Sequence, residues 1–170
     1  MTNLWQKAAA FSATKHQGQF RKDGITPYIS HPVRVAFVLE HEFRIHDDVI
    51  TAAALLHDVL EDTLVDYDEL LEEFGPDIAR IVAAVTKDKR LRNNERETEY
   101  DKQLRKSGWQ SVVVKLADVY DNICDSPDDD MIDKALAKAD RVIDIAEKGA
   151  FLQPHLVQPV TKLKDLIIQY

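Results

Sequence analysis

The stretch that decides the fold runs from Ile50 to Asp62 and reads Ile-Thr-Ala-Ala-Ala-Leu-Leu-His-Asp-Val-Leu-Glu-Asp. Its first seven residues contain neither Gly nor Pro and end in apolar side chains, which predicts a buried helix that continues into the polar residues. Positions four apart share a face of a helix, so His57 would lie beside Glu61 and Asp58 beside Asp62. Buried charged groups are usually paired or bound to a cation. The stretch therefore predicts a metal site on a helix.

The composition is that of an ordinary globular protein. The chain has 170 residues, of which 45% are hydrophobic and 31% charged, and this length suits one domain with a sizeable core. Glycine is scarce and apolar residues recur at helical spacing, so we expect an all-α fold. A net charge of −8 argues against general binding to nucleic-acid phosphates.

The sequence also bears on the compartment. Apolar runs fall short of the roughly 18–20 residues that a bilayer span requires, and the N-terminal residues lack the pattern of a secretory signal. The single cysteine, Cys124, excludes a disulfide within the chain and suits a reducing cytoplasm. We expect a cytoplasmic protein in which Cys124 faces the core.

Caps and breakers predict the remaining helices. Residues 18–30 are expected to form a loop, Asp66 with Glu69 resembles a capping box, and Gly75-Pro76 should end one helix and open the next. The predicted helical segments are approximately 3–17, 32–42, 47–63, 66–74, 76–87, 93–106 (an exposed helix or a mobile flap), 109–123, 126–148 and 159–170. These segments contain no internal repeat, so we expect one domain over residues 1–170.

Further ligands must come from elsewhere, because an adjacent His-Asp pair also occurs by chance. His31 precedes Pro32 at a predicted helix start. Asp118 ends the apolar run 112–117, and Asn122 follows one turn later on the same face. Each of these residues alone is more often structural than functional.

Taken together, the motifs resemble the HD superfamily of metal-dependent phosphohydrolases. The resemblance is narrower to the hydrolase domain of RelA/SpoT homologues and to the stand-alone small alarmone hydrolases, including the metazoan SpoT homologues. It covers about residues 4–125 in the family's order, through the blocks His16–Gly24, Pro27–Pro32, Ala53–Val59, Glu61–Thr63, Phe74-Gly75, Val85–Lys87 and Val114–Asp118 with Asn122.

The resemblance implies a helical bundle with a metal site between helices, and the C-terminal helices of residues 126–170 complete the domain. It implies Mn²⁺, or another divalent ion, as the metal. The implied residues are His31, His57, Asp58 and Asp118 as metal ligands, Glu61 and Asp62 as the catalytic pair, and Arg21, Lys22 and Asn122 as substrate-binding groups. His16 and Tyr28 are expected to hold the loop rather than to contact substrate.

The chain departs from the family's pattern around the substrate. Val119 replaces a basic residue, Asp121 brings a negative charge beside Asn122, and beyond Pro127 the aromatic residue of the stand-alone enzymes has no evident counterpart. The leading hypothesis is removal of pyrophosphate from the 3′ position of guanosine 3′,5′-bis(diphosphate), ppGpp or pppGpp. The alternatives are hydrolysis of another nucleotide, such as a nucleoside monophosphate or NADPH, and a non-catalytic nucleotide-binding module.

Overall fold

Helices make up most of residues 3–148 and 154–170, which are the residues that the computed structural model describes. Within these residues an isolated β-bridge joins Phe20 and Pro27, and the predicted all-α class is confirmed. In chain order the helices are α1 (Leu4–Lys15), α2 (Ser30–Phe37), which continues as a π-helical turn (Val38–Glu42), α3 (Asp48–Leu56), α4 (Val59–Asp62), α5 (Tyr67–Val85), α6 (Asn93–Lys106), α7 (Trp109–Cys124), α8 (Asp129–Lys148) and α9 (Pro154–Ile167).

Two central helices, α3 and α7, organise the packing. α3 contacts α1, α2, α5 and α7, while α7 contacts α2, α5, α8 and α9. Residues 52–56 of α3 and residues 112–114 of α7 are buried, as expected for helices that are apolar on several sides. The alanines of α3 leave room for close approach by α1. Each Leu, Ile or Val buried here contributes about 1.5–3 kcal/mol.

The helix containing the His-Asp motif is not continuous, so the prediction of one uninterrupted helix from 47 to 63 is wrong. α3 ends at Leu56, and His57 and Asp58 form a turn before α4. The His57 imidazole Nδ1 lies 2.8 Å from the Ala54 carbonyl oxygen. Neighbouring residues of a regular α-helix point about 100° apart. The turn instead lets both side chains reach the same site.

Other predicted boundaries agree closely with the structure. Asp66 caps α5 by accepting a hydrogen bond from the Glu69 backbone N–H at 2.8 Å. Gly75 has φ 80° and ψ 172°, which divides α5 into two segments at the predicted Gly75-Pro76 position. Residues 93–106 form a helix, α6, in accordance with the first of the two predicted alternatives.

Two predictions near the C-terminal half are wrong. Cys124 is exposed rather than core-facing, because the preceding residue, Ile123, supplies the buried side chain of the last turn of α7. The last helix begins at Pro154, so Pro159 lies inside it instead of opening it. Among the described residues, no helix combines the length and apolarity that crossing a membrane requires.

We predict that Gly75→Ala destabilises the fold by about 1–3 kcal/mol. The backbone at Gly75 lies in a region that only glycine occupies without strain. An added Cβ would meet nothing within 4 Å, so the cost would arise from the backbone alone. Urea denaturation measures the loss. The control is Gly108→Ala, where φ is −71° and the nearest atom belongs to the flexible Gln110 side chain. Equal losses in the two variants would contradict the prediction.

Candidate metal centre

The sequence-predicted ligands meet where α2, the turn after α3, and α7 come together. His31 is supplied by the first turn of α2, His57 and Asp58 by the turn between α3 and α4, and Asp118 by the middle of α7. His31 Nε2 lies 3.1 Å from Asp118 Oδ1 and 3.7 Å from Asp58 Oδ2. His57 Nε2 lies 3.0 Å from Asp58 Oδ2 and 3.7 Å from Asp118 Oδ1.

Both imidazoles present the same nitrogen to this cluster. His31 Nδ1 lies 2.7 Å from Asp121 Oδ2, and His57 Nδ1 lies 2.8 Å from the Ala54 carbonyl oxygen. Each Nδ1–H can therefore donate outward, which leaves Nε2 directed inward. His57 Nε2 is buried, and although Asp58 Oδ2 lies 3.0 Å away, no described residue offers this nitrogen a well-aligned hydrogen bond. An orphaned buried nitrogen facing carboxylates fits a metal ion.

The donor groups can hold a divalent cation. One ligand atom from each of His31, His57 and Asp118 lies within 4.8 Å of the others, and Asp58 Oδ2 approaches both imidazoles as given above. Two neutral nitrogens and two carboxylates would compensate a doubly charged ion in a buried site.

Charge compensation within the cluster is visible in the pKa values. Burial lowers the pKa of His57, but Asp58 and Asp118 outweigh burial and hold that pKa well above its ordinary value. Burial raises the pKa of Asp118, but Lys115 and the two histidines hold it well below the usual range. In the absence of an ion the two carboxylates therefore favour the protonated form of His57. A divalent ion would compete with a proton for the same nitrogen.

Asp121 holds His31 in place, a role that the sequence did not reveal. It is buried, and besides His31 it receives a hydrogen bond from Arg34 Nε to Oδ1 at 2.7 Å. Arg34 also contacts Asp125 Oδ2 at 2.6 Å, and Arg21 Nε donates to the same oxygen at 2.8 Å. The Asp121 carboxylate thus binds His31 at Nδ1, the imidazole nitrogen that points away from the candidate metal site.

Tyr28 is a second contributor that the sequence analysis undervalued. Its hydroxyl donates to Asp58 Oδ2 at 2.6 Å and lies 3.2 Å from Asp62 Oδ2. The ring stacks on His16 with centroids 4.7 Å apart. His16 holds the loop, as expected, through Gln19 at 2.8 Å. Tyr28 holds the loop too, but it also fixes the position of two acidic groups of the site.

The predicted acidic pair lies on α4 beside the cluster. Glu61 Oε2 accepts the backbone N–H of Lys87 at 3.0 Å. Asp62 Oδ1 accepts from Lys89 Nζ at 2.5 Å. Both carboxylates line a hollow on the side of α4, together with Lys15, Gln19 and Lys89. Their orientation is set by the segment that follows α5.

The predicted substrate-binding residues line another cavity, which opens beside Asp118. Arg21 Nη2 donates to Asn122 Oδ1 at 3.0 Å, and Asn122 Nδ2 donates to Asp118 Oδ1 at 2.6 Å. Lys115 Nζ binds the other Asp118 oxygen at 2.6 Å. The lining comprises Arg21, Lys22, Asp23, Lys115, Asp118, Val119, Asn122, Asp125, Ser126, Pro127, Met131, Lys134, Ala135 and Lys138. Arg21, Lys22 and Asn122, the three predicted substrate-binding residues, therefore line the same cavity.

The loop that carries Arg21 is a tight, internally bonded turn. Arg21 N–H donates to the Thr26 carbonyl at 2.8 Å, and the Asp23 carboxylate accepts the backbone N–H groups of Ile25 and Thr26, each at 2.9 Å. The hydrogen bond from the Thr26 hydroxyl and these two amides lower the pKa of Asp23 to about 2. The loop thus presents Arg21 and Lys22 from a structured backbone.

Comparison with known proteins identifies one matching family model and several relatives that share one name. The HD domain family model matches residues 8–143. Proteins named guanosine-3′,5′-bis(diphosphate) 3′-pyrophosphohydrolase MESH1 are 46% identical over 116 residues in Danio rerio and 46% identical over 120 residues in Homo sapiens. These alignments cover 68% and 70% of this chain, and span 64% and 67% of the two relatives.

A solved structure shares the architecture over nearly the whole chain. It is described as a metazoan ortholog of SpoT that hydrolyzes ppGpp and plays a role in starvation responses. The TM-score is 0.85 at 30% sequence identity, and the match covers 99% of this chain and 96% of that one.

We predict that Asp121→Asn weakens metal binding about 10- to 100-fold, because the charge that supports the outer face of His31 is lost. Isothermal titration with Mn²⁺ measures the affinity. The matched control is Glu40→Gln, which alters an exposed carboxylate 2.7 Å from His46, away from the centre. An unchanged affinity in the Asp121 variant would show that His31 needs no support from this carboxylate.

Proposed function

The chain belongs to the HD-domain family, and we propose that it hydrolyses guanosine 3′,5′-bis(diphosphate), releasing the 3′-pyrophosphate. The observation that carries the proposal is the convergence of His31, His57, Asp58 and Asp118 beside a cavity lined by cations. Relatives named for this activity share 46% identity with the chain. The segment aligned with them spans about two thirds of their length, 64% and 67%.

We propose that the four converging side chains hold a divalent ion, and that this ion is Mn²⁺. Mixed imidazole and carboxylate donors suit first-row divalent metals, and the carboxylates favour a hard ion. Such an ion, when bound, lowers the pKa of a water molecule and polarises a phosphoryl oxygen. Asp121 and the Ala54 carbonyl would keep both imidazoles in the tautomer that this binding requires.

The acidic pair would handle the protons of the reaction. Glu61 is held by the Lys87 backbone, and Asp62 is held by Tyr28 and Lys89. A carboxylate fixed in this way can orient a water molecule and accept its proton. We assign these roles to Glu61 and Asp62, with Tyr28 as a positioning residue between Asp62 and Asp58.

Arg21, Lys22 and Asn122 would bind the nucleotide. A guanidinium can stack on a base or contact phosphate oxygens, and an ammonium group supplies a point charge. Asn122 already bridges Arg21 and Asp118. Asn122 is therefore suited to holding the sugar of the nucleotide between Arg21 and the candidate metal ligand Asp118.

Organisation and location are part of the same proposal. Residues 1–170 would act as one HD domain whose C-terminal helices, in 126–170, pack on α7 through α8 and α9. We propose a cytoplasmic enzyme whose partner is a small anionic nucleotide. The net charge of −8 supports neither a nucleic acid nor an anionic membrane as its ligand.

One observation favours a second substrate. Among the described residues, those lining the cavity include no aromatic side chain that could stack on a base. We therefore expect the cavity to recognise phosphate more strongly than guanine. Another phosphorylated nucleotide, such as a nucleoside monophosphate or NADPH, is the alternative substrate. A non-catalytic nucleotide-binding module is less well supported, because mere binding gives no reason for the Glu61 and Asp62 pair.

The substrate is tested with a panel of nucleotides. We predict that Mn²⁺-loaded protein releases pyrophosphate from ppGpp, and that a chelator abolishes this release. Pyrophosphate and orthophosphate are measured separately for ppGpp, nucleoside monophosphates and NADPH. Orthophosphate release from the other nucleotides alone would support the second substrate. Tight binding without release from any nucleotide would support the non-catalytic module.

The division of labour is tested by two variants. We predict that Asp58→Ala loses both metal and turnover, whereas Glu61→Ala retains metal and loses turnover by about 10²- to 10⁴-fold. Titration of Mn²⁺ and the pyrophosphate assay measure these properties separately. Glu72→Ala, at an exposed position of α5, is the control. Equal metal loss in the Asp58 and Glu61 variants would contradict the assigned roles.

A further inference from the structure

One face of α8 forms a wall of the cavity. Met131, Lys134, Ala135 and Lys138 line it, and their spacing places them along a single helix face. Ala135 is buried, whereas both lysines are exposed at the cavity. This wall therefore offers ammonium groups and short apolar side chains to a ligand.

The two lysines differ in their partners. Lys134 forms an ion pair with Asp130 one turn earlier on α8. Lys138 forms no ion pair with any residue in 3–148 or 154–170. The carboxylates that influence it are Asp118 and Glu97, and both are already engaged. Lys115 Nζ binds Asp118 at 2.6 Å.

Glu97 is occupied from two sides. Lys87 Nζ lies 2.6 Å from Glu97 Oε1, and Arg141 Nη2 lies 2.8 Å from Glu97 Oε2. Partial desolvation of its ammonium group inside the cavity, together with repulsion from Lys115 and Lys87, lowers the pKa of Lys138 although the residue retains exposed surface. A cation crowded by other cations, and lacking its own counter-ion, favours an anion in the cavity beside it.

The position of Lys138 indicates which anion this is. The cavity that it lines includes Asp118, Asn122 and Arg21, but His31, His57, Asp58 and the acidic pair of α4 are not part of that lining. The phosphorus that is attacked must lie beside the latter group. Lys138 therefore shares its cavity with Arg21 and Asn122, the proposed nucleotide-binding residues, and Asp118 is the candidate metal ligand that reaches this cavity.

We propose that Lys138 binds the 5′-diphosphate of the substrate and makes the enzyme selective for nucleotides phosphorylated at both ends. This inference rests on the proposed function. Because the cavity lining in the described part of the chain contains no aromatic side chain, affinity would come from the second phosphate group rather than from stacking on the base. A nucleoside 3′-diphosphate that lacks 5′-phosphates would then be a poor substrate.

The test compares ppGpp with guanosine 3′-diphosphate. For Lys138→Met we expect the KM for ppGpp to rise about tenfold or more, the scale of one charge-assisted hydrogen bond, with kcat nearly unchanged. The KM for guanosine 3′-diphosphate should change less than about twofold. Lys138→Arg should restore most of the ppGpp affinity, because it retains the charge.

The matched control is Lys148→Met, which removes a lysine from the same helix outside the cavity lining and should leave both KM values unchanged. Circular dichroism confirms that α8 still forms. Equal losses for both substrates in Lys138→Met, or a loss confined to kcat, would overturn the assignment to the 5′-diphosphate.

Binding of GDP separates this inference from the proposed function. GDP has a 5′-diphosphate and no 3′-phosphate, so its dissociation constant does not depend on turnover. We expect GDP to bind the wild-type protein more tightly than guanosine does, and about tenfold more weakly to Lys138→Met. If ppGpp is not hydrolysed but this GDP result holds, the proposed function fails and the role of Lys138 stands. If GDP binds both proteins equally, or no better than guanosine, the role of Lys138 is overturned.

Discussion

Two imidazoles and two carboxylates share an interior site between α2, α7 and the turn after α3, and neither carboxylate could remain charged there without its neighbours. An isolated buried charge costs several kcal/mol, so each carboxylate depends on the cations around it. Asp118 is compensated by Lys115 and by both histidines. The close approach of α2 to α7 therefore pairs His31 with Asp118, in addition to burying apolar side chains between the two helices. The same compensation prepares the site for a doubly charged ion.

The candidate metal ligands could be predicted because several motifs in the order typical of the HD superfamily contain them, although each local signal alone is weak. His57 and Asp58 interrupt an apolar helix, His31 stands at a helix start beside a proline, and Asp118 ends an apolar run. The helix boundaries at Asp66 and Gly75 could also be predicted, because caps and helix-breaking residues act on their immediate neighbours. The structure brings all four candidate ligands together.

The residues that were missed act over long separations in the chain. Asp121 binds His31 across 90 positions, and Tyr28 reaches Asp58 across 30 positions. Nothing in the local sequence of Asp121 distinguishes a buried partner of histidine from a solvated carboxylate. The break at His57 was hidden for a related reason, because a side chain bonded to a carbonyl in the preceding turn leaves no mark in the hydrophobic pattern. Cys124 was misplaced because periodicity does not locate the last exposed position of a helix.

Asp125 links the cavity to the candidate metal centre through two arginines. Its Oδ2 lies 2.8 Å from Arg21 and 2.6 Å from Arg34, and Arg34 in turn binds Asp121 behind His31. A phosphate that draws Arg21 away would leave Asp125 to Arg34 alone, altering the share of charge that Arg34 gives to Asp121. Nucleotide and metal would then influence each other's affinity by the same factor, as thermodynamic linkage requires. The two occupants of the site would then be energetically coupled through Asp125, Arg34 and Asp121, the three side chains that connect Arg21 to His31.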